Sequence, residues 1–192
     1  MFLDHLNTIV FNHHYFVLTL IGRLAYPIFI YLAVKSYVYY THDKFNYIIR
    51  IMVFALISTP FIMYGFHQGL LPLNILFSIV FGLVTIFLFE EKQYIWIVFP
   101  IFFAFYSEYS YATILAFLSM YLFLKQRNVF TFLIVVASFF LLNPPIFNYY
   151  LPIFFGLVFF DLYYKFDFRS RLNKYVFYAF YPLHIALLGV LK

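Results

Sequence analysis

The sequence predicts an all-α fold: a polytopic helical membrane protein with about eight to nine membrane helices, the first of them short. Three observations lead there. Of 192 residues, 66% are hydrophobic and only 10% are charged, against roughly 25% charged in a soluble domain, so the chain cannot build a water-exposed shell. Its apolar residues come in long runs, such as 75–89 and 129–142, that are apolar on every helical face and suit helices surrounded by lipid and protein. A β-barrel would instead need segments of about ten residues that alternate apolar and polar. One integral membrane domain covering residues 1–192 follows, because crossings of about 20 residues with short connections use up a chain of this length.

The elements follow in order. The first run, 1–12, is apolar but interrupted by Asp4, His5 and Asn7. It has no basic start and no cleavage signal, so it reads as mature protein and not as a signal peptide. Residues 1–11 would reach only about 16 Å as a helix, roughly half of a hydrocarbon core, so a half-span or a re-entrant piece is expected. After the polar Asn12-His13-His14, the second run covers 15–40 and holds Arg23, Pro27 and Lys35. Further runs cover 47–66, 71–89, 94–106, 109–124, 129–142, 150–164 and 174–191. Short connections separate them, and no repeat, linker or second domain is visible.

Basic residues test this segmentation, because cytoplasmic loops are enriched in lysine and arginine. Lys44, then Lys92, then Lys125 with Arg127, then Lys165, Arg169, Arg171 and Lys174 fall on alternate connections, and the intervening ones have none. The loops at 41–46, 90–93, 125–128 and 165–173 are therefore expected in the cytoplasm, and the C-terminus outside it, as in a bacterial inner membrane. The formal net charge of +5 reports orientation and not nucleic-acid binding. With no cysteine, disulfides, thiolate zinc sites and cysteine acyl-enzymes are excluded.

Ionisable groups inside a membrane cost a few kcal/mol or more and usually face a cavity or a partner. Arg23 lies deep in the second run. It either snorkels to the surface or offers paired donors to an anion or a developing oxyanion. His184 lies in the last run, two residues after Pro182. It is either a buried histidine bonded to a neighbouring helix or part of a site that the distorted turn opens to polar groups. Asp4 and His5 are adjacent, so on a helix they point about 100° apart and His5 is not simply oriented by Asp4. Glu108 reads as interfacial, and Asp161 can pair with Lys165 at i+4. Lys35 and Arg50 flank the 41–46 loop, where snorkelling accounts for each. The paired tyrosines 39–40, 149–150 and 163–164 read as interfacial anchors. The polar cluster of Asp4, His5, Arg23 and His184 leaves proton-coupled transport, lipid handling and group transfer all open.

These residues sit inside longer patterns. Asp4-His5, then Gly22-Arg23-Leu24-Ala25-Tyr26-Pro27-Ile28-Phe29, then Tyr47-Ile48-Ile49-Arg50, then Leu73-Asn74-Ile75-Leu76-Phe77 leading to Gly82, and finally Phe180-Tyr181-Pro182-Leu183-His184 resemble the TraX family, itself similar to a wider superfamily of transmembrane acyltransferases. The blocks run in family order over nearly the whole chain, and those around Arg23 and His184 are the most specific. The resemblance implies an acyl-CoA-dependent membrane acetyltransferase, of the type that modifies the N-terminal amine of conjugative pilin with acetyl-CoA; related enzymes act on sugar hydroxyls. It implies His5 as base, Arg23 as contact to acyl donor or oxyanion, and His184 in the site; Asp4, from the same polar cluster, is the fourth catalytic candidate, unless it caps or anchors the first helix. Lys35, Lys44 and Arg50, with Arg23, are candidates to hold acetyl-CoA; Lys44, Lys125, Arg127, Arg169 and Arg171 could meet its nucleotide, although orientation alone explains these loop cations equally well. Membrane lipids and a pilin-like peptide or glycan are the other partners implied, with no metal.

Two features depart from the family pattern. Members usually carry a longer first helix with a basic residue a few turns before the histidine, whereas four residues precede His5 here. Glu108-Tyr109-Ser110 stands where members often have Asp-Tyr-Gly, which keeps the acid but loses the glycine's freedom. The rival readings are a non-catalytic membrane scaffold for a pilin-like or lipid-linked partner and a small proton-linked transporter. The transporter reading lacks the inverted repeat common in that class.

Overall fold

Runs that are apolar all round bury their backbone polar groups most economically as helices, and helices are what they form. The computed structural model describes residues 2–11, 14–67, 69–142, 153–159 and 174–190. In chain order these hold α1 (Phe2–Ile9), α2 (Phe16–Lys35) widening into a π turn (Ser36–Tyr40), α3 (Lys44–Phe66), α4 (Ile75–Glu90), a 3₁₀ turn (Tyr94–Ile97) leading into α5 (Val98–Ala104), α6 (Ser110–Gln126), α7 (Val129–Leu142), α8 (153–159) and α9 (Lys174–Val190). No strand occurs among the described residues; a single bridge pairs Leu73 with Ser107.

The helices lie where the apolar runs predict them, but their lengths differ. Two are long and apolar enough to cross a membrane: 25 residues over Phe16–Tyr40 and 23 over Lys44–Phe66. At about 1.5 Å per residue each exceeds a hydrocarbon core of about 30 Å. The apolar helices Ile75–Glu90, Tyr94–Ala104, Val129–Leu142 and Ala179–Val190 are shorter. Among the described residues two helices thus reach crossing length, where eight to nine crossings are expected from the sequence. One reason is that an apolar run also includes residues that stay outside the helix it contains. In the run 71–89 the first residues stay outside α4, because Asn74 is extended and caps Leu76 N–H at 3.0 Å. Among the described residues large apolar side chains face outward in every part of the chain, Ile95, Val129 and Phe130 among the most exposed.

The chain forms two compact units. One comprises Met1–Ile28, Pro60–Gln68 and Pro145–Lys192, the other Phe29–Thr59 and Gly69–Pro144. In the second unit the Asn74 amide donates to Ala55 O at 2.9 Å and to Thr59 Oγ1 at 3.1 Å, so one side chain both caps α4 and fastens it to α3. Gly82 lets α4 meet the ring of Phe117 on α6, where a Cβ would collide with it. Ser119 and Ser138 share a 2.8 Å hydrogen bond between α6 and α7, a small-residue contact of the kind that joins helices in lipid. Arg127, left-handed at φ 50°, ends α6, and Asn128 caps the start of α7 through Thr131 N–H at 2.8 Å.

Glu90, the last residue of α4, joins four helices of this unit. Its carboxylate accepts from Tyr37 on the π turn at 2.9 Å, from Tyr121 on α6 at 2.8 Å and from Lys44 on α3 at 2.6 Å. Burial alone would favour the neutral acid, but the donors Lys44, Tyr121 and Tyr37 outweigh it and hold Glu90 below the usual carboxylate range.

Glu90→Leu is expected to lower stability by about 2–3 kcal/mol, because two tyrosine hydroxyls and an ammonium lose their acceptor; thermal unfolding in detergent measures it. The depressed folded pKa makes this contribution complete above the unfolded value of about 4.3 and lost as pH falls through the folded one. Wild-type stability should thus decline below about pH 4 more steeply than that of Glu90→Gln.

Candidate functional site

The site belongs to the first unit and is built from α1, the first turns of α2, the end of α3 and α9. α1 is short and would fray alone, so its position depends on α2. Asn7, fully buried, provides the tie: its amide donates to Tyr15 O and to Thr19 Oγ1, both at 2.9 Å, and its oxygen accepts Tyr15 N–H at 3.1 Å. One side chain thus satisfies the backbone where the chain turns from α1 into α2. Gly22 completes the contact, since a Cβ there would collide with the Cβ of Asp4 and stand 2.9 Å from its Cα. Only glycine lets α1 approach α2 so closely.

That approach decides what Asp4 and His5 meet. Asp4 faces α2, where its Oδ2 lies 3.7 Å from Arg23 Nε in a partly buried ion pair. His5, one residue on, faces α9, and its Nδ1 lies 2.9 Å from His184 Nε2, 179 residues away in sequence. The two rings are within 10° of parallel, with centroids 5.1 Å apart. Nitrogens closer than centroids by that margin mean that the rings lie nearly in one plane, nitrogen toward nitrogen, and are not stacked face to face.

The supports are aromatic and close-packed. His5 takes the edge of Phe66 on α3, with ring centroids at 5.2 Å. His184 lies against Phe180 at 4.9 Å and against Phe2 and Tyr181, each at 5.9 Å. Its Nδ1 bonds the Phe180 carbonyl at 2.6 Å. His184 is 5% exposed, whereas His5 is only half-buried. Gly65 and Gly189 bring α3 and α9 into backbone contact, Gly65 against Ile185 and Gly189 against Gly65. Pro182, within α9, withdraws one backbone bond from the turn before His184.

Asp4, His5, Arg23 and His184 are therefore brought together. The other described candidates belong to the second unit. Lys44 is engaged by Glu90 and sits over the Tyr37 ring; Lys35 lies over Tyr31 and Arg50 over Tyr47. Lys125 lies over Tyr121, and Arg127 donates to Tyr39 at 3.3 Å. Glu108 is exposed, and its N–H donates to Leu73 O at 3.2 Å. Asp161, Lys165, Arg169 and Arg171 lie outside the described residues. Among the described residues no group of three or more potential ligands forms a metal site. Two residues of structural weight escape a reading by charge alone. Asn7 is signalled only as an amide in an apolar stretch, and Glu90 looks like an ordinary loop acid.

Fold and site together define an all-helical protein, with two helices of membrane-crossing length, in which a histidine pair stands beside an aspartate–arginine ion pair. Residues 1–192 match the family model described as TraX protein, and the chain belongs to the TraX family. No curated protein and no solved structure matches it.

Gly22→Ala should force α1 off α2 and cost about 1–3 kcal/mol, the usual penalty of overpacking. Thermal unfolding measures the loss, and a cysteine pair placed on α1 and α2 should cross-link less readily in the variant.

Proposed function

We propose that the chain is a membrane-embedded acetyltransferase that moves an acetyl group from acetyl-CoA to an amine, such as a pilin N-terminus, or to a hydroxyl. The observation that carries this reading is the bond from half-buried His5 to buried His184, beside Arg23 held by Asp4. Family membership supports the same chemistry.

Acetyl transfer needs a neutral nucleophile and a counter-charge for the acyl oxygen. Acetyl-CoA supplies the activated thioester. An α-amino group has a pKa of about 8, so an imidazole suffices to take its proton as nitrogen bonds to the acyl carbon. His5 is that base. Arg23, steadied by Asp4, stabilises the negative charge on the acyl oxygen. The carbon–sulfur bond then breaks, and the proton on His5 can pass to the departing thiolate. The donor set fits this substrate: a cation for charge that develops during reaction and a histidine for the proton. Outward aromatic and aliphatic side chains suit a lipid surround, with the basic connections on the cytoplasmic side of a bacterial inner membrane.

Radiolabelled acetyl-CoA, purified protein in detergent and a panel of free-amine pilin-like peptides and glycans test it. Label should reach one class of acceptor, and His5→Ala should slow transfer by about 10²–10⁴-fold. Arg23→Ala should slow it by about 10²–10³-fold. Equal transfer by wild type and His5→Ala overturns the assignment of the base.

A further inference from the structure

We infer that His184 is a positioning residue that fixes His5 in the tautomer with its proton on Nδ1 and its lone pair on Nε2. The catalytic purpose of this arrangement rests on the acetyl-transfer reading above, while the tautomer follows from hydrogen bonding alone.

The argument starts at the buried end of the chain of bonds. The Phe180 carbonyl can only accept, so the 2.6 Å contact requires His184 Nδ1 to carry the proton. In a neutral ring the other nitrogen is then an acceptor. That nitrogen, Nε2, lies 2.9 Å from His5 Nδ1, so His5 Nδ1 donates. Neutral His5 consequently bears its lone pair on Nε2. The near-coplanar rings, 10° apart, aim the proton along the acceptor's lone pair, as a strong N–H···N bond requires.

Burial assigns the two roles. His184 is 5% exposed and spends both nitrogens on its bonds to His5 and Phe180. His5 is half-buried, and Nε2 has no hydrogen-bond partner among the described residues. It is the nitrogen left to receive a proton from an acceptor amine or hydroxyl. When it does, His5 becomes a cation whose Nδ1–H bond to His184 is charge-assisted and stronger, so the pair stabilises the protonated base. Packing of Phe180, Phe2 and Tyr181 around His184 keeps the acceptor in place.

Two variants separate positioning from packing. In His184→Gln the amide oxygen can still accept from His5 Nδ1; in His184→Phe the ring volume is kept without an acceptor. Histidine-¹⁵N NMR of the detergent-solubilised protein reads the His5 tautomer whether or not the protein is active. Wild type and His184→Gln should show His5 protonated on Nδ1, while His184→Phe should revert toward the Nε2-protonated form that free side chains favour. Turnover with acetyl-CoA should stay within about tenfold of wild type for His184→Gln and fall about 100-fold for His184→Phe, in kcat and not KM. A wild-type His5 protonated on Nε2, or equal kcat in the two variants, overturns the proposal. An Nδ1-protonated His5 in a protein that transfers acetyl to no acceptor overturns the acetyltransferase reading and leaves the histidine pair standing. Should His184→Phe fail to fold, an Nε2-protonated His5 in wild type or in His184→Gln is the overturning result.

Discussion

The hydrogen bond between His5 and His184 is the contact on which the site depends. It joins residues 179 positions apart, from a first helix of eight residues to the last helix of the chain. So short a helix has little stability of its own. It holds its place through Asn7, which satisfies the turn into α2, and through Gly22, which gives up its side chain so that Asp4 can approach. Only with α1 seated there does Asp4 face Arg23 while His5, about a quarter turn on, faces α9.

Polar side chains are few here, and those that join helices are used more than once. Asn74 caps α4 and bonds two groups of α3. Glu90 takes donors from three other elements. Asn7 makes three bonds across one turn. Among apolar surfaces an unsatisfied polar group costs more than the hydrogen bond it would make. Packing alone between uniformly apolar helices fixes their register poorly, and these polar contacts do so instead. The candidate site applies the same rule, with His184 spending one nitrogen on Phe180 and the other on His5.

Much of the architecture was legible in the sequence. The run 129–142 coincides with α7, and 15–40 matches α2 with its π turn almost residue for residue, because hydrophobicity is a property of each residue in its own neighbourhood. Crossing length was less legible: Asn74 and its neighbours look like part of an apolar run, and in fact Asn74 is the cap at which the helix begins. Lys44 read as a loop cation available to a nucleotide and is engaged by Glu90, since a charge pattern carries no information about a partner 46 residues away. Glu90 was invisible as a hub for the same reason.

The order of residue types already marks the chain as helical and apolar, shows its resemblance to the TraX family, and singles out Asp4, His5, Arg23 and His184 as the polar residues hardest to explain as surface. Those follow from residue type and order. The pairing of Asp4 with Arg23 and of His5 with His184, and the place of the buried histidine behind the half-buried one, come from helix packing. Adjacent residues on a helix diverge by about 100°, so their partners are set by which helices pack on each side.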